Sequence, residues 1–389
     1  MTNAMTQESP RHIHRFVTRP SLATIRAIVA PVNVLIALLT AFAAWGGTID
    51  PAVCVIGAIM AMTLPVMLIL CVVMLVLDLV FWRKAALVIV ASWICSAPPL
   101  LAFSPLNLPM RPLTDEEKER SFTFLTYNVL NLNDFRGQDS TRVSNATLDY
   151  ILDTDADIVS LQECGAISEW PLWNITPEQI RTLRERYPYR LIDSYEVGTI
   201  LSKYPFVQFN EPTPPEYHKK FLFVRINVKG HIVRLADCHL QSIGLTDEDK
   251  SYYRSVLHSK PRNEDQLREE VTQVKTRLIS KLQDAFIHRR DQAIHLRNMV
   301  DSLPGNWIVA GDFNDIPDCY AVRTIMGKDM HDAYADCAFG PRITYHDKMF
   351  YFRIDQVLYG GDMHAVSIRR DRNPSSDHYP LLTTFVFDE

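Results

Sequence analysis

Three long uncharged runs open the chain, at residues 27–49, 51–77 and 85–110, of 23, 27 and 26 residues. Helical residues rise 1.5 Å each and a bilayer's hydrocarbon layer is roughly 30 Å thick, so about 20 of them cross it. Each run is therefore predicted to be a membrane-spanning helix, a buried soluble helix being the weaker alternative. A cleaved signal peptide would show one short apolar run near the start. Here the first run follows a polar, basic tail and two more come behind it. Pro31 and Pro65 are expected to kink their spans, and Trp45, Trp82 and Trp93 to mark interfaces or packing. Asp78, within a turn of Trp82 and Arg83, is expected at the membrane surface. The N-terminal part thus divides into a basic tail at 1–24 and a three-helix anchor at 25–104.

Residues 105–121 hold three prolines and the run Asp115-Glu116-Glu117-Lys118-Glu119, which reads as a solvated linker. From Phe122 the period shortens. Apolar, strand-forming segments are predicted at 122–132, 157–162 and 198–201, then a hairpin over 221–240 turning at Lys229-Gly230. More follow at 307–310, 352–359 and 381–387, with Gly360-Gly361 as a turn. Helical spacing appears at 141–152 and, at greatest length, over 264–302, where Pro304-Gly305 stops it. Many strands with few helices predict an α/β sandwich over 122–389, its strand order open.

Charge separates these two parts. Residues 1–104 carry six Lys/Arg and three Asp/Glu; the whole chain carries 40 and 45, net −5, which leaves −8 on the remaining 285 residues. Basic residues precede the first span and join the second to the third as Arg83-Lys84, while the loop between the first two has none. The positive-inside rule then predicts a multi-pass protein of the cell's inner membrane, with a cytoplasmic N-terminus and, after three crossings, an extracytoplasmic C-terminal domain. Only 14 glycines occur, with no GxGxxG or Walker A run, so a phosphate-cradling loop is excluded. No repeat, CxxC or Cys/His zinc spacing is present. Cys319 and Cys337 are the pair to consider in an oxidising compartment; free thiols are the default.

The candidate chemistry lies where strands end. Asn128, Glu163, His239, Asp312, Asn314, Asp355, Asp377 and His378 each follow or adjoin an apolar segment, where an unpaired polar group is costly to bury. Singly, each has an ordinary reading: a turn for Asn128, Asp312 and Asn314, an ion pair for Glu163 and Asp355, a satisfied core residue for His239. Together they supply hard oxygen ligands for a Mg²⁺-like ion, two imidazoles near carboxylates and an amide donor, an inventory suited to phosphoester hydrolysis.

Seven motifs carry a resemblance: Thr126-Tyr127-Asn128-Val129, Ser160-Leu161-Gln162-Glu163, Gly198-Thr199-Ile200-Leu201-Ser202, His239-Leu240, Gly311-Asp312-Phe313-Asn314, Arg353-Ile354-Asp355 and Ser376-Asp377-His378-Tyr379-Pro380. In this order, over about residues 122–387, they resemble the endonuclease/exonuclease/phosphatase family, and the preceding spans resemble its membrane-anchored bacterial members. The resemblance implies a four-layer sandwich of two packed β-sheets flanked by helices, with a metal-dependent site at one end. It further implies Glu163 as principal metal ligand with Asn128 and Asp377 nearby, for Mg²⁺ or alternatively Mn²⁺. Asp312 would orient or deprotonate the attacking water, Asn314 and His239 would donate to the phosphate, and Asp355 would hold His378.

The expected function is a membrane-anchored, metal-dependent phosphoesterase; a silent receptor or scaffold that keeps the fold is the alternative. Nucleic acid, a lipid headgroup and a small phosphodiester all stay open as substrates, although a net −8 domain lacks the basic character of an affinity-driven nucleic-acid binder. A transport role is disfavoured by the near absence of charge in the spans. The polar insertion 246–268 and Glu196 are further candidates near the cleft. Arg353 suits either a phosphate contact or an ion pair, and His12 and His14 read as solvated.

Overall fold

The first apolar run folds as predicted into one helix, α1 (Leu22–Gly46). This is a computed structural model, describing residues 22–108, 111–132, 144–164, 175–192, 198–207, 220–244, 264–347 and 351–389. The other two runs differ from the expected single spans. The second breaks into α2 (Val55–Ala61) and α3 (Leu64–Phe81), with Pro65 in the first turn of α3, where a missing N–H costs little. The third breaks into α4 (Ala86–Cys95) and α5 (Ala97–Phe103), which meet at 77°. Pro98-Pro99 fall at the start of α5, where they cannot donate back into α4. Among the described residues two helices, α1 and α3, are long and apolar enough to cross a membrane, or three if the bent pair counts as one span.

Outward-facing side chains of α3 include Ile69, Val72, Val76 and Val80, all exposed. A soluble surface rarely presents so continuous an apolar face. Asp78, near the α3 end that adjoins Trp82 and Arg83, is 1% exposed, and Asn33 Nδ2 of α1 donates to its Oδ2 at 2.7 Å. A buried carboxyl needs such a partner. The segment read as linker also holds a helix, α6 (Asp115–Arg120), capped reciprocally by Thr114 and Glu117.

Among the described residues, twelve strands form two sheets. The first contains β1 (Ser121–Asn128), β2 (Ile158–Gln162), β3 (Tyr189–Ile192), β4 (Gly198–Ser202), β11 (Met363–Arg370) and β12 (Leu381–Phe387), ordered β11-β12-β1-β2-β4-β3. The second contains β5 (Phe206–Val207), β6 (Phe221–Val228), β7 (His231–His239), β8 (Asn306–Asp312), β9 (Met330–Asp332) and β10 (Asp355–Gly360), ordered β5-β6-β7-β8-β10-β9. Strand periodicity builds the layers. Phe122 and Phe124 of β1, with Ile308 and Ala310 of β8, fill the space between the sheets. Leu125 and Tyr127 point instead to the outer face covered by α7 (Ala146–Thr154) and α8 (Pro177–Arg186). Trp307 and Val309 meet the long helix α9 (Glu264–Ser302), whose Ala293, Leu296 and Val300 recur at helical spacing. The predicted hairpin turn holds: Lys229 and Gly230 adopt φ of 54° and 97°.

Anchor and sandwich pack against each other. Ala58 of α2 sits on Leu282 and Phe286 of α9, and Arg290 Nε lies 2.8 Å from Asp50 Oδ1. Arg353 faces the anchor. It is 3% exposed, donates to Ala102 O at 2.8 Å and to Gln356 Oε1 at 2.7 Å, and lies over the Tyr334 ring. Of its two expected readings, the internal ion pair is the one observed, with Asp332 at 3.4 Å. All seven cysteines are free, so Cys319 and Cys337 are not bridged.

Candidate active site

Sheet register gathers the polar strand ends. In the second sheet Asp312 ends β8 and is paired across the ladders with His239 of β7 and Asp355 of β10. In the first, Asn128 pairs with Gln162, which delivers Glu163 beside it. Asp377 and His378 arrive on the segment before β12, where Ser376 Oγ donates to Asn128 O at 2.7 Å. Turning the chain out of these strands takes unusual backbone: Glu163 and Asn314 have φ of 49° and 52°. Non-glycine residues pay for that conformation and keep it mostly where a site needs it. Gly311, at φ 132°, is obligatory for a second reason, since a Cβ there would stand 2.2 Å from Cys238 O.

All eight residues singled out in the sequence lie at this end. Asn128 Nδ2 is 3.1 Å from both Glu163 Oε1 and Asp312 Oδ2, while its Oδ1 accepts from Leu130 N. His239 Nε2 is 3.6 Å from Glu163 Oε1 and 3.8 Å from Asp312 Oδ2. His378 Nδ1 is 2.8 Å from Asp355 Oδ2, and its Nε2 is 3.6 Å from Asp312 Oδ2. Asn314 N donates to Asp312 Oδ1 at 2.8 Å, and its side chain donates to Leu240 O. Glu163, His239, Asp312, Asn314, Asp377 and His378 line a cavity of about 240 Å³.

The electrostatics follow from burial and crowding. Burial alone would lower the His378 pKa, but Asp355 and Asp312 beside it push it up to about 10. Asp312 is raised by burial and by Asp355, with His378 and His239 pulling the other way. Asp377 is raised by burial and, against the pull of His378, by the charges of Glu163 and Asp312. Carboxylates that repel one another in this way are the donor set a divalent cation fits. Asp312, Asp355 and His378 also offer ligand atoms within 4.8 Å of one another. Asp355 is already engaged by His378 Nδ1 at 2.8 Å.

Several contributors escaped the sequence reading. Tyr345 packs on His378 with ring centroids 4.9 Å apart, and Thr344 Oγ1 accepts from the backbone of Ile354 and Asp355. Met62 of the anchor lines the cavity. Glu196, His12, His14 and most of the 246–268 insertion fall outside the described residues.

Asp237, fully buried between the sheets, accepts from Ser160 and Gln162, and its Oδ2 has no partner. Burial pushes its carboxyl up to about 7 despite those hydrogen bonds. Folded chains then hold a proton that unfolded chains release near 3.8, so the stability it lends is complete below that value and is lost as pH rises to about 7. Melting temperature should fall between about pH 5 and 7, and Asp237→Asn should flatten the decline. An unchanged slope in the variant would assign the decline to other groups.

Two packed six-stranded sheets bring acids, amides and imidazoles together where strands of both sheets end, an arrangement suited to phosphoester hydrolysis. The model described as the Endonuclease/Exonuclease/phosphatase family matches residues 125–378, and the chain belongs to that family. Residues 26–103 match a second model, described as a domain of unknown function (DUF8431). No curated protein matches the chain. Among solved structures it is similar to the endonuclease/exonuclease/phosphatase from Beutenbergia cavernae, at 15% identity and TM-score 0.45 over 69% of this chain and 72% of that one. It is also similar to the endonuclease/exonuclease/phosphatase from Bacteroides vulgatus, at 17% identity and TM-score 0.44 over 69% and 99%. A third is sphingomyelinase C from Streptomyces griseocarneus, at 16% identity and TM-score 0.38 over 68% and 99%.

Proposed function

We propose that the protein is a membrane-anchored phosphodiesterase that hydrolyses its substrate by direct attack of water with the help of a divalent cation, Mg²⁺ or Mn²⁺. The observation that carries this reading is the convergence of Asp312, His239 and the Asp355–His378 pair on one cavity beside Glu163 and Asp377. Asp312 orients the water and takes its proton. Asp355 fixes one nitrogen of His378 and so aims the other at the phosphate, where a protonated imidazole opposes the charge that builds in the transition state. His239 and Asn314 add donors on the same side. Glu163 and Asp377 would hold the cation, with Asn128 Nδ2 steadying Glu163; when bound, the cation supplies positive charge against the phosphate oxygens.

The anchor reading rests on the length and apolar outer faces of α1 and α3. Arg26 and the Arg83-Lys84 turn lie at one end of these helices; Gly46, Leu64 and Phe103, at the other, adjoin the sandwich. With the basic end cytoplasmic, α4–α5 completes a third crossing and the catalytic domain lies outside. One experiment tests both parts. Full-length protein in detergent should hydrolyse bis(p-nitrophenyl) phosphate with Mg²⁺ or Mn²⁺ and stop with chelator; intact cells expressing it should hydrolyse the externally added ester without permeabilisation. Full activity in excess chelator would remove the metal from the mechanism, and a need for permeabilisation would reverse the orientation.

A further inference from the structure

A second cavity, of about 410 Å³, lies between the anchor and the catalytic domain. Its anchor wall is apolar, formed by Met62, Leu64 and Phe103 among others, and its domain wall carries Arg342, Arg370 and Arg372. It adjoins the active-site cavity, since Met62, Ile316 and Phe352 line both. No carboxylate pairs with any of the three arginines among the described residues, although arginines nearby in the fold, such as Arg353 and Arg369, have theirs. Arg370 lies over the Tyr379 ring, next in sequence to His378, and its buried Nε has no partner. Burial and the neighbouring Arg342 and Arg372 together lower its pKa. Three crowded, uncompensated guanidiniums call for an anion, and guanidinium matches phosphate by paired hydrogen bonds.

From this arrangement we propose that the substrate is a membrane lipid with two anionic groups, one the phosphodiester that is cut and the other a phosphate held by Arg342, Arg370 and Arg372. The inference rests on the phosphodiesterase reading and names its substrate class. The scissile group occupies the cavity of Asp312 and His378, the second phosphate sits on the arginines, and apolar chain lies along Met62, Leu64 and Phe103. A nucleic acid is disfavoured: its second phosphate would bring a polar sugar and base against the anchor's apolar wall. The reaction balances without a co-reactant. Water oxygen bonds to phosphorus, one P–O ester bond breaks, and the proton passes to the departing oxygen, leaving a phosphomonoester and an alcohol.

The test uses the full chain with Mg²⁺ in vesicles of phosphatidylcholine alone, or phosphatidylcholine mixed with phosphatidylglycerol or with cardiolipin, which carries two phosphates. Phosphomonoester release is measured beside hydrolysis of bis(p-nitrophenyl) phosphate by the same preparation. Cardiolipin should be cut at least about tenfold faster than either lipid with one phosphate. In Arg342→Gln/Arg372→Gln, two exposed positions whose change spares the core, the ratio of cardiolipin to soluble-ester turnover should fall at least about tenfold. Phe103→Trp, which narrows the cavity, should lower the same ratio. Cleavage of the soluble ester alone, equal rates on all three lipids, or an unchanged ratio in the arginine variant would each overturn the lipid inference and leave the phosphodiesterase reading standing. Hydrolysis of no ester at all would overturn both.

Discussion

Asp312→Asn is expected to lower kcat at least about a hundredfold while the melting temperature stays within a few degrees. Asparagine has the same shape and still accepts from Asn314 N, so the turn after β8 keeps its geometry. What it loses is the capacity to take a proton from water, along with one acceptor for Asn128 Nδ2, which keeps Glu163 Oε1 at 3.1 Å. His378→Gln should act comparably, because a lost donor to a developing oxyanion costs about 10² to 10³ in rate. Glutamine at 378 can still donate to Asp355, which avoids stranding a buried carboxylate and keeps the comparison about turnover. Both groups act in one transition state, so the double variant should fall well short of the product of the single losses. If these buried polar residues serve only the fold, the pattern reverses: stability drops and turnover per folded molecule survives. Measuring kcat and melting on the same preparations separates the two, and near-normal turnover in folded Asp312→Asn would refute its role.

The second large effect concerns Glu163. Its carboxylate faces Asn128 and His239 and contributes to the raised pKa of Asp377, and it is one of the two carboxylates proposed to hold the cation. Glu163→Gln keeps the size and halves the attraction. The Mg²⁺ concentration for half-maximal rate should rise by at least about 10- to 100-fold, with maximal rate also reduced. A titration curve superimposable on that of the unmodified protein would move the cation elsewhere in the cavity.

The sequence exposed the site better than the architecture. Asn128, Glu163, Asp312 and Asp355 stand out because each ends or adjoins an apolar segment, where a polar group is expensive to bury unless something pairs it. Asp237 escaped because it interrupts nothing visible: in Leu235-Ala236-Asp237-Cys238 a single polar residue fits an alternating strand, and only the packing of the two sheets shows both its faces covered. The strands Tyr189–Ile192 and Met330–Asp332 were too short for periodicity to register, and Met363–Arg370 mixes charged and apolar residues at a sheet edge. The apolar helical part was legible in extent and not in form. Run length counts apolar residues but cannot see where Pro98-Pro99 turn a helix by 77°. Nor could any pattern reveal that Met62 reaches the cleft, because that contact belongs to residues far apart in the chain.

Arg353 gives the position of the linker a practical meaning. Its guanidinium uses a buried hydrogen bond on Ala102 O, while α2 covers Leu282 and Phe286 close to the cleft. A fragment begun at residue 111, the obvious cut from the chain's hydropathy, would leave that donor without its acceptor and bare an apolar scar at the mouth of the active site. The border between the greasy and the water-soluble halves is therefore a place in the sequence and not a seam in the folded object. Anyone wishing to handle the sandwich alone would have to rebuild that face, by polar replacement at Leu282 and Phe286 and a new partner for Arg353, before judging what the severed half can do.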